Sequence, residues 1–336
     1  MTIPRSALAS TLAASLFAGA TACAAGVAAT TPPAATLRFE FHSAFLMNLH
    51  HFLVDAARHP GRIDTVPWSV PPTAAELATM HEAVSFYASS FGQRDLLFDD
   101  ELRDIKHALA RADDARQRAD GLGLPPALAT VLDRAAPVYA RCLWASQDRV
   151  NRDWIVRVQG LLARYGAQIQ PRLERIFEAR FPPFIRDDVV VATGTFTGAY
   201  TDAPPPQTVI PAGWDEYGGL ASLEMIWHEA AHAGPGDQLE ALIESEAHAM
   251  GREPPANLWH AALFEAVGTT VSDVLARDGV TGYVEYADKN GVYKRAWSAY
   301  MPLLRSDWVA WLAGRGSLKG AVDAMLSTPR VAAAAP

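Results

Sequence analysis

His228, Glu229 and His232 stand in the stretch LEMIWHEAAHAGPGDQ, with two histidines four residues apart and an acid beside the first. On an α-helix of 3.6 residues per turn, positions i and i+4 lie one above the other, so both imidazoles can reach one metal ion. Zn2+ suits such a pair, because it takes imidazole nitrogens at about 2.0–2.1 Å in a tetrahedral shell. Glu229 is rotated by one position. It does not ligate, but it can reach a water held by the metal and accept its proton. The chain carries its own contrast: His81-Glu82 begins the same pattern, but Ser85 stands where a second histidine is needed.

The motif requires a helix, and its neighbours supply one. Leu223, Ile226, Trp227, Ala230 and Ala231 give an apolar surface, and Gly234-Pro235-Gly236 ends the helix at once. A third ligand must come from elsewhere. The segment PANLWHAALFEAVGTTVSDVLA is apolar and therefore buried, and within it Glu265 lies between Phe264 and Ala266. An ionised glutamate at a buried position is costly unless it is paired or ligates a metal. Glu265 is the favoured third ligand on that ground. His260 is the alternative and would make a three-histidine site, with Asp273 and Glu246 as further candidates. Stabilisation of a developing oxyanion calls for a donor opposite the metal. Among Tyr283, Tyr286 and Tyr293, which follow this helix, Tyr286 is chosen for that role.

With HEAAH on a helix after a small sheet, the segment from Asp187 to Asp273 resembles the zincin metallopeptidases, over about a quarter of the chain. The metzincin extension would require glycine at 235 and histidine at 238; Pro235 and Gln238 stand there, so that branch is excluded. The pattern is closer to the gluzincins, whose third ligand is a glutamate on a later helix. Glu265 follows His232 at a longer interval than is usual there, and the helix over 237–250 would account for the excess. The chain also resembles exported bacterial proteins of this type, in which the acid would fall one turn later, at Thr269. The resemblance implies a zinc-dependent hydrolase, most simply a metallopeptidase acting on peptide or protein substrates, with Glu229 as general base. It also implies that an extended peptide would lie along the edge strand GTFTGAYTD. The alternative is a zincin-like binding or scaffold protein that does not hydrolyse.

The rest of the chain must position these groups. Half of its 336 residues are hydrophobic and a fifth are charged, enough for a sizeable core. A net charge of −8 argues against nucleic acid as a partner, since phosphate binding needs a basic face. Residues 1–22 read as an export signal, with Arg5 before an apolar run and ATA before Cys23. Cys23 could carry a lipid anchor, the only membrane attachment expected; otherwise the chain is exported to the periplasm or beyond. A Pro/Ala/Thr-rich spacer over 23–36 follows. Residues 37–185 read as mainly helical, including a capping box from Thr73 to Glu76 and a long helical stretch from Pro126 to Phe181. Residues 186–330 read as the metal-binding part: DDVVVATG, TGAYTD and QTVIPA as two or three strands, then helices to the end, closing on two packing helices. The fold class expected is α+β, mainly helical, with a zincin-like core inside a helical envelope, acting as one cooperative unit.

Smaller signals have structural readings. His50 and His51 are adjacent, diverge by about 100° on a helix and cannot chelate one ion together. Trp144, Asp148 and Asn151 share a helix face, as a cleft wall or a polar network. Cys142 lies in an apolar helical stretch and reads as a small buried side chain.

Overall fold

Arg38-Phe39-Glu40-Phe41-His42 alternates polar and aromatic residues, the period of a strand with one face buried. In the computed structural model, which describes residues 36–59, 61–195 and 198–328, this segment is strand β1 (Arg38–His42). It joins three strands at the expected places: β2 (Phe184–Val190), β3 (Tyr200–Asp202) and β4 (Gln207–Pro211). The sheet order is β1-β2-β4-β3. β1, β2 and β4 run parallel, and β3 closes one edge antiparallel to β4. Residues 1–35, which hold the expected export signal, Cys23 and nearly all of the spacer, lie outside the described residues.

Successive strand residues point to opposite faces, and each face carries its own core. One face presents Phe39, Phe41, Ile185, Val189 and Ile210 to the helices α5 (Ala145–Phe177), α6 (Ala221–His232), α7 (Pro235–Ala249) and α8 (Leu258–Arg277). There Phe39 meets Trp227 edge-on at 5.2 Å, and Phe41 meets Trp154 at 6.1 Å. The other face presents Val190, Tyr200 and Val209 to α1 (Phe45–Arg58), α2 (Ala74–Phe91), α3 (Asp100–Ala110) and α4 (Pro126–Tyr139). Each fully buried aliphatic or aromatic side chain in these layers contributes about 1.5–3 kcal/mol.

The two sides are tied together by chain continuity and by polar bonds. α4 passes through a π-helical turn, Ala140–Trp144, directly into α5. The wide turn follows Pro137, whose ring removes an N–H and crowds the carbonyl one turn back. Asn151 on α5 donates to Asn48 on α1 at 2.9 Å, and Asn48 donates to the Val189 carbonyl of β2 at 3.1 Å. Ser43 donates to Asp148 at 2.8 Å, so the Asp148–Asn151 face is a polar network rather than a cleft wall. Cys142 is fully buried, and His50 and His51 are core residues. The described residues from Thr36 to Thr328 fall in one compact unit, within which β1 and α5 contribute to the same core as α6–α8. The two parts expected on either side of residue 185 each contribute to both cores.

The observed architecture is thus mainly helical around a small mixed four-stranded sheet. The capping box is formed: the Thr73 hydroxyl accepts from the Glu76 N–H, and Glu76 accepts from the Thr73 N–H at 2.8 Å. At the C-terminal end the first expected packing helix is Met301–Leu303, a π turn over Leu304–Trp308, and Val309–Leu312; the second is Leu318–Ser327. Among the described residues no helix is long and apolar enough to cross a membrane.

Candidate metal centre

α6 is buried along almost its whole length, from Ala221 to Ala231, and ends where Gly234 adopts a positive φ of 138° that L side chains rarely tolerate. α8 packs across it, and the small residues Ala261, Ala262 and Ala266 line the buried face of α8. This crossing sets His260, in the first turn of α8, against the two histidines of α6. His228 Nε2 lies 3.1 Å from His232 Nε2 and 3.2 Å from His260 Nε2. Among the described residues these three form the one group of His, Cys, Asp or Glu side chains close enough to share an ion.

The donor set fits a single small cation. Two nitrogens at about 2.0–2.1 Å from a tetrahedral Zn2+ stand about 3.3 Å apart, close to the two separations observed. Without a cation the arrangement is poorly satisfied, since the single proton or lone pair on His228 Nε2 must serve two neighbours. The rings are walled by aromatics. Phe264 stacks on His228 at 3.8 Å, Trp259 stacks on His260 at 5.0 Å, and Trp297 meets His260 edge-on at 5.1 Å. Burial, then mutual repulsion, pushes His228 far below the ordinary imidazole range; the same causes bring His232 to about 3, and burial brings His260 to about 4. All three are therefore neutral near pH 7, the form that ligates. One feature is incomplete: His228 Nδ1 is buried without a hydrogen-bond partner, where ligating histidines usually donate to a carbonyl or carboxylate.

Glu229 projects from the same helix toward the sheet. The Thr201 hydroxyl on β3 donates to its Oε2 at 2.7 Å. Burial raises the Glu229 pKa to about 7, opposed by the Thr201 donor and by the charge of Lys106. Tyr286 stands one ring away from the histidines: its ring is 6.2 Å from Phe264 and 5.6 Å from Tyr217. Its hydroxyl acts on that of Tyr217, and its backbone N–H donates to Glu224 at 2.9 Å. Glu224 lies one turn before His228, accepts from the Tyr283 hydroxyl at 2.5 Å, and is pushed up to about 7 by burial. A Cβ at Gly268 of α8 would crowd the Glu285 side chain at 3.0 Å and the Glu224 carboxylate at 3.2 Å, so the glycine leaves room for both.

Glu265 is not at the centre. Five positions after His260 it is turned about 140° around α8, where it faces Arg305 at 3.9 Å and the Tyr293 hydroxyl. Its burial is compensated by these partners, so no metal is needed to explain it. Thr269 lines the same small cavity, with Glu285 and Asp288. Glu246 pairs with Lys319 at 2.6 Å, and Asp273 stands outside the three-histidine group. β3 is the expected edge strand, but all three of its residues are buried and Asp202 is held by Lys106 at 2.7 Å. Residues singled out by the geometry but not by the sequence are Thr201, Thr208, Asp187 and Glu224. Of these only Glu224 and Thr208 carry a local signal, polarity beside apolar neighbours; Asp187 stands between Arg186 and Asp188. Comparison with protein-family models, curated proteins and solved structures gives no match.

Proposed function

We propose that the protein is a zinc-dependent hydrolase, acting on peptide bonds, in which His228, His232 and His260 hold the metal and Glu229 is the general base. The observation that carries this reading is the convergence of three neutral imidazole nitrogens from two helices, with Glu229 the residue that follows His228 on the same helix. Zn2+ bound by such a set lowers the pKa of water and polarises a carbonyl. Glu229 takes the proton of the attacking water and returns it to the leaving amine. Tyr286, whose ring lies 6.2 Å from that of Phe264, is the residue proposed to donate to the developing oxyanion. In this reading the chain is exported, a proposal that rests on residues 1–23 alone.

Elemental analysis of the purified protein tests the metal: about one zinc per chain, lost in His232→Ala and His260→Ala and retained in Glu265→Ala. Retention in His260→Ala would remove the three-histidine centre. Turnover is then sought by digesting a peptide library and reading the new termini by mass spectrometry. One observation favours a second reading, a metal-binding protein without turnover: Glu229 is only 3% exposed, and one carboxylate oxygen is already engaged by Thr201. Zinc with no new termini would select it.

A further inference from the structure

Asp187, Thr208 and Thr201 occupy one row across three strands. Asp187 on β2 is in register with Thr208 on β4, and Thr208 with Thr201 on β3. All three side chains point to the face that receives α6, and all are buried. The Thr208 and Thr201 hydroxyls are 2.8 Å apart, and the row ends at Glu229 Oε2. We propose that Asp187 is a positioning residue for Glu229, acting through the hydroxyls of Thr208 and Thr201 as a neutral carboxylic acid. The role assigned to Glu229 rests on the hydrolase reading; the row itself does not.

The direction of the row follows from counting protons. Each threonine hydroxyl has one hydrogen to donate. Thr201 spends its hydrogen on the Glu229 carboxylate, so Thr208 must donate to Thr201, and Thr208 is left able only to accept. Asp187 is the neighbour that can supply that hydrogen, and only when it carries its proton. Its surroundings keep the proton there. The Asp187 carboxyl is fully buried; the acids whose charges act on it are Glu229 of α6 on the same face, and Asp188 and Glu40, which project from the opposite face of the sheet. The nearby cations are committed elsewhere: Arg186 to Asp188 at 2.8 Å and Lys106 to Asp202. Neither Asp187 oxygen has a hydrogen-bond partner, and Thr208, opposite it in register, is the hydroxyl that acts on it. An ionised carboxylate in that position would be buried among acids, with Thr208 as its one hydroxyl donor and the Thr208 hydrogen already given to Thr201. A neutral one supplies the donor that the row lacks. The consequence for Glu229 is a fixed Oε2, leaving Oε1 for the reacting water.

The test is infrared spectroscopy of the full-length protein near neutral pH, with 13C-labelled aspartate and glutamate in separate samples. A protonated aspartate carbonyl band is expected in the wild type and absent from Asp187→Asn. The Glu229 band, assigned as the one that Glu229→Gln removes, is expected to move in Asp187→Val and in Thr208→Val. It should stay in place in Asp187→Asn, whose amide still donates. Thr208→Val keeps a β-branched shape in the strand, so it serves if Asp187→Val does not fold. Where turnover is measurable, kcat falls about tenfold in either valine variant, with KM and zinc content unchanged, and Asp187→Asn stays within about twofold of wild type. A wild type with no protonated aspartate, or a Glu229 band unmoved by the valine variants, overturns the proposal. Absence of turnover with the band shifts intact would instead overturn the hydrolase reading and leave the row standing.

Discussion

Lys106, Asp202, His107 and His51 on one face of the sheet, and His228, His232, His260 and Glu229 on the other, are both sets of ionisable groups taken out of water. On the first face opposite charges meet. Lys106 is almost fully buried, yet its ammonium lies 2.7 Å from Asp202 and 4.7 Å above the Tyr200 ring, and His107 adds a second contact to Asp202 at 3.1 Å. His51 donates from Nδ1 to the Thr193 carbonyl at 2.8 Å and accepts at Nε2 from Tyr200 at 3.3 Å. Lys106 and His51 are thus hydrogen-bonded within the chain, and His107 Nε2 and Asp202 Oδ2, which form no hydrogen bond, face one another as an ion pair when His107 is protonated. On the second face three imidazoles converge with no anion among them and no acceptor for His228 Nδ1. A paired cluster explains itself as structure. A convergent, unpaired set of neutral nitrogens is explained by a cation, which is why the second face and not the first carries the functional proposal.

The largest expected difference between the two faces is in turnover. Glu229→Gln should lower kcat by a factor of about 10²–10⁴ and leave zinc content unchanged, since the amide keeps the shape and the contact to Thr201. Steady-state rates on whichever peptide the library identifies, with metal analysis of the same sample, check this. A variant as active as wild type would remove Glu229 from the chemistry.

Next in size is the cost of breaking the paired face. Lys106→Met leaves Asp202 buried with its main partner gone and should destabilise the fold by about 3–5 kcal/mol in denaturant titration. The double variant with Asp202→Leu should recover most of that loss, because no charge is then left unpaired. His260→Asn on the other face leaves no uncompensated charge, so its loss should appear in zinc affinity far more than in the stability of the metal-free protein. Equal stability losses in Lys106→Met and metal-free His260→Asn would erase the distinction between the faces.

Much of the second face was legible because its geometry is local. Histidines at i and i+4 share a helix face whatever the rest of the fold does, and Gly234-Pro235 fixes where that helix stops. The third ligand was visible only as a choice. Burial favoured Glu265, but the partner that satisfies it, Arg305, comes from a helix 40 positions later and could not be paired with it from the sequence. β1 was missed although Phe39 and Phe41 alternate with polar residues, because five residues before a long helical pattern are a weak strand signal. The Asp187–Thr208–Thr201 row depends on strand register, which the sequence does not display. The mainly helical class with a small sheet was readable from periodicity alone; which strands are neighbours was not.

The two faces also respond to pH in opposite senses. His51 is lowered to about 4, chiefly by burial, with the Lys106 charge adding to it and the Thr193 carbonyl opposing. A base depressed in the folded state contributes fully above its unfolded value of about 6.5, and the contribution is lost as pH falls toward 4. The loss is about 3 kcal/mol, and His51→Asn, which keeps a donor for Thr193, should flatten the acid limb of a thermal-stability profile by a comparable amount. Glu224 runs the other way. Its folded pKa is raised to about 7 by burial, against the donors from Tyr283 and the Tyr286 N–H. An acid raised in the folded state is stabilising below its unfolded value of about 4.5, and that stability is lost as pH rises through 7. Glu224→Gln removes the ionisation while keeping an acceptor for both donors, so it should gain about 1–2 kcal/mol at pH 8 and nothing at pH 4. Because Glu224 holds the Tyr286 backbone one turn from His228, the same variant reports whether that loop must be clamped. Unchanged zinc content with raised stability at pH 8 would mean the ionised carboxylate is a cost of the clamp rather than part of the metal centre. Loss of zinc instead would bring Glu224 into the site.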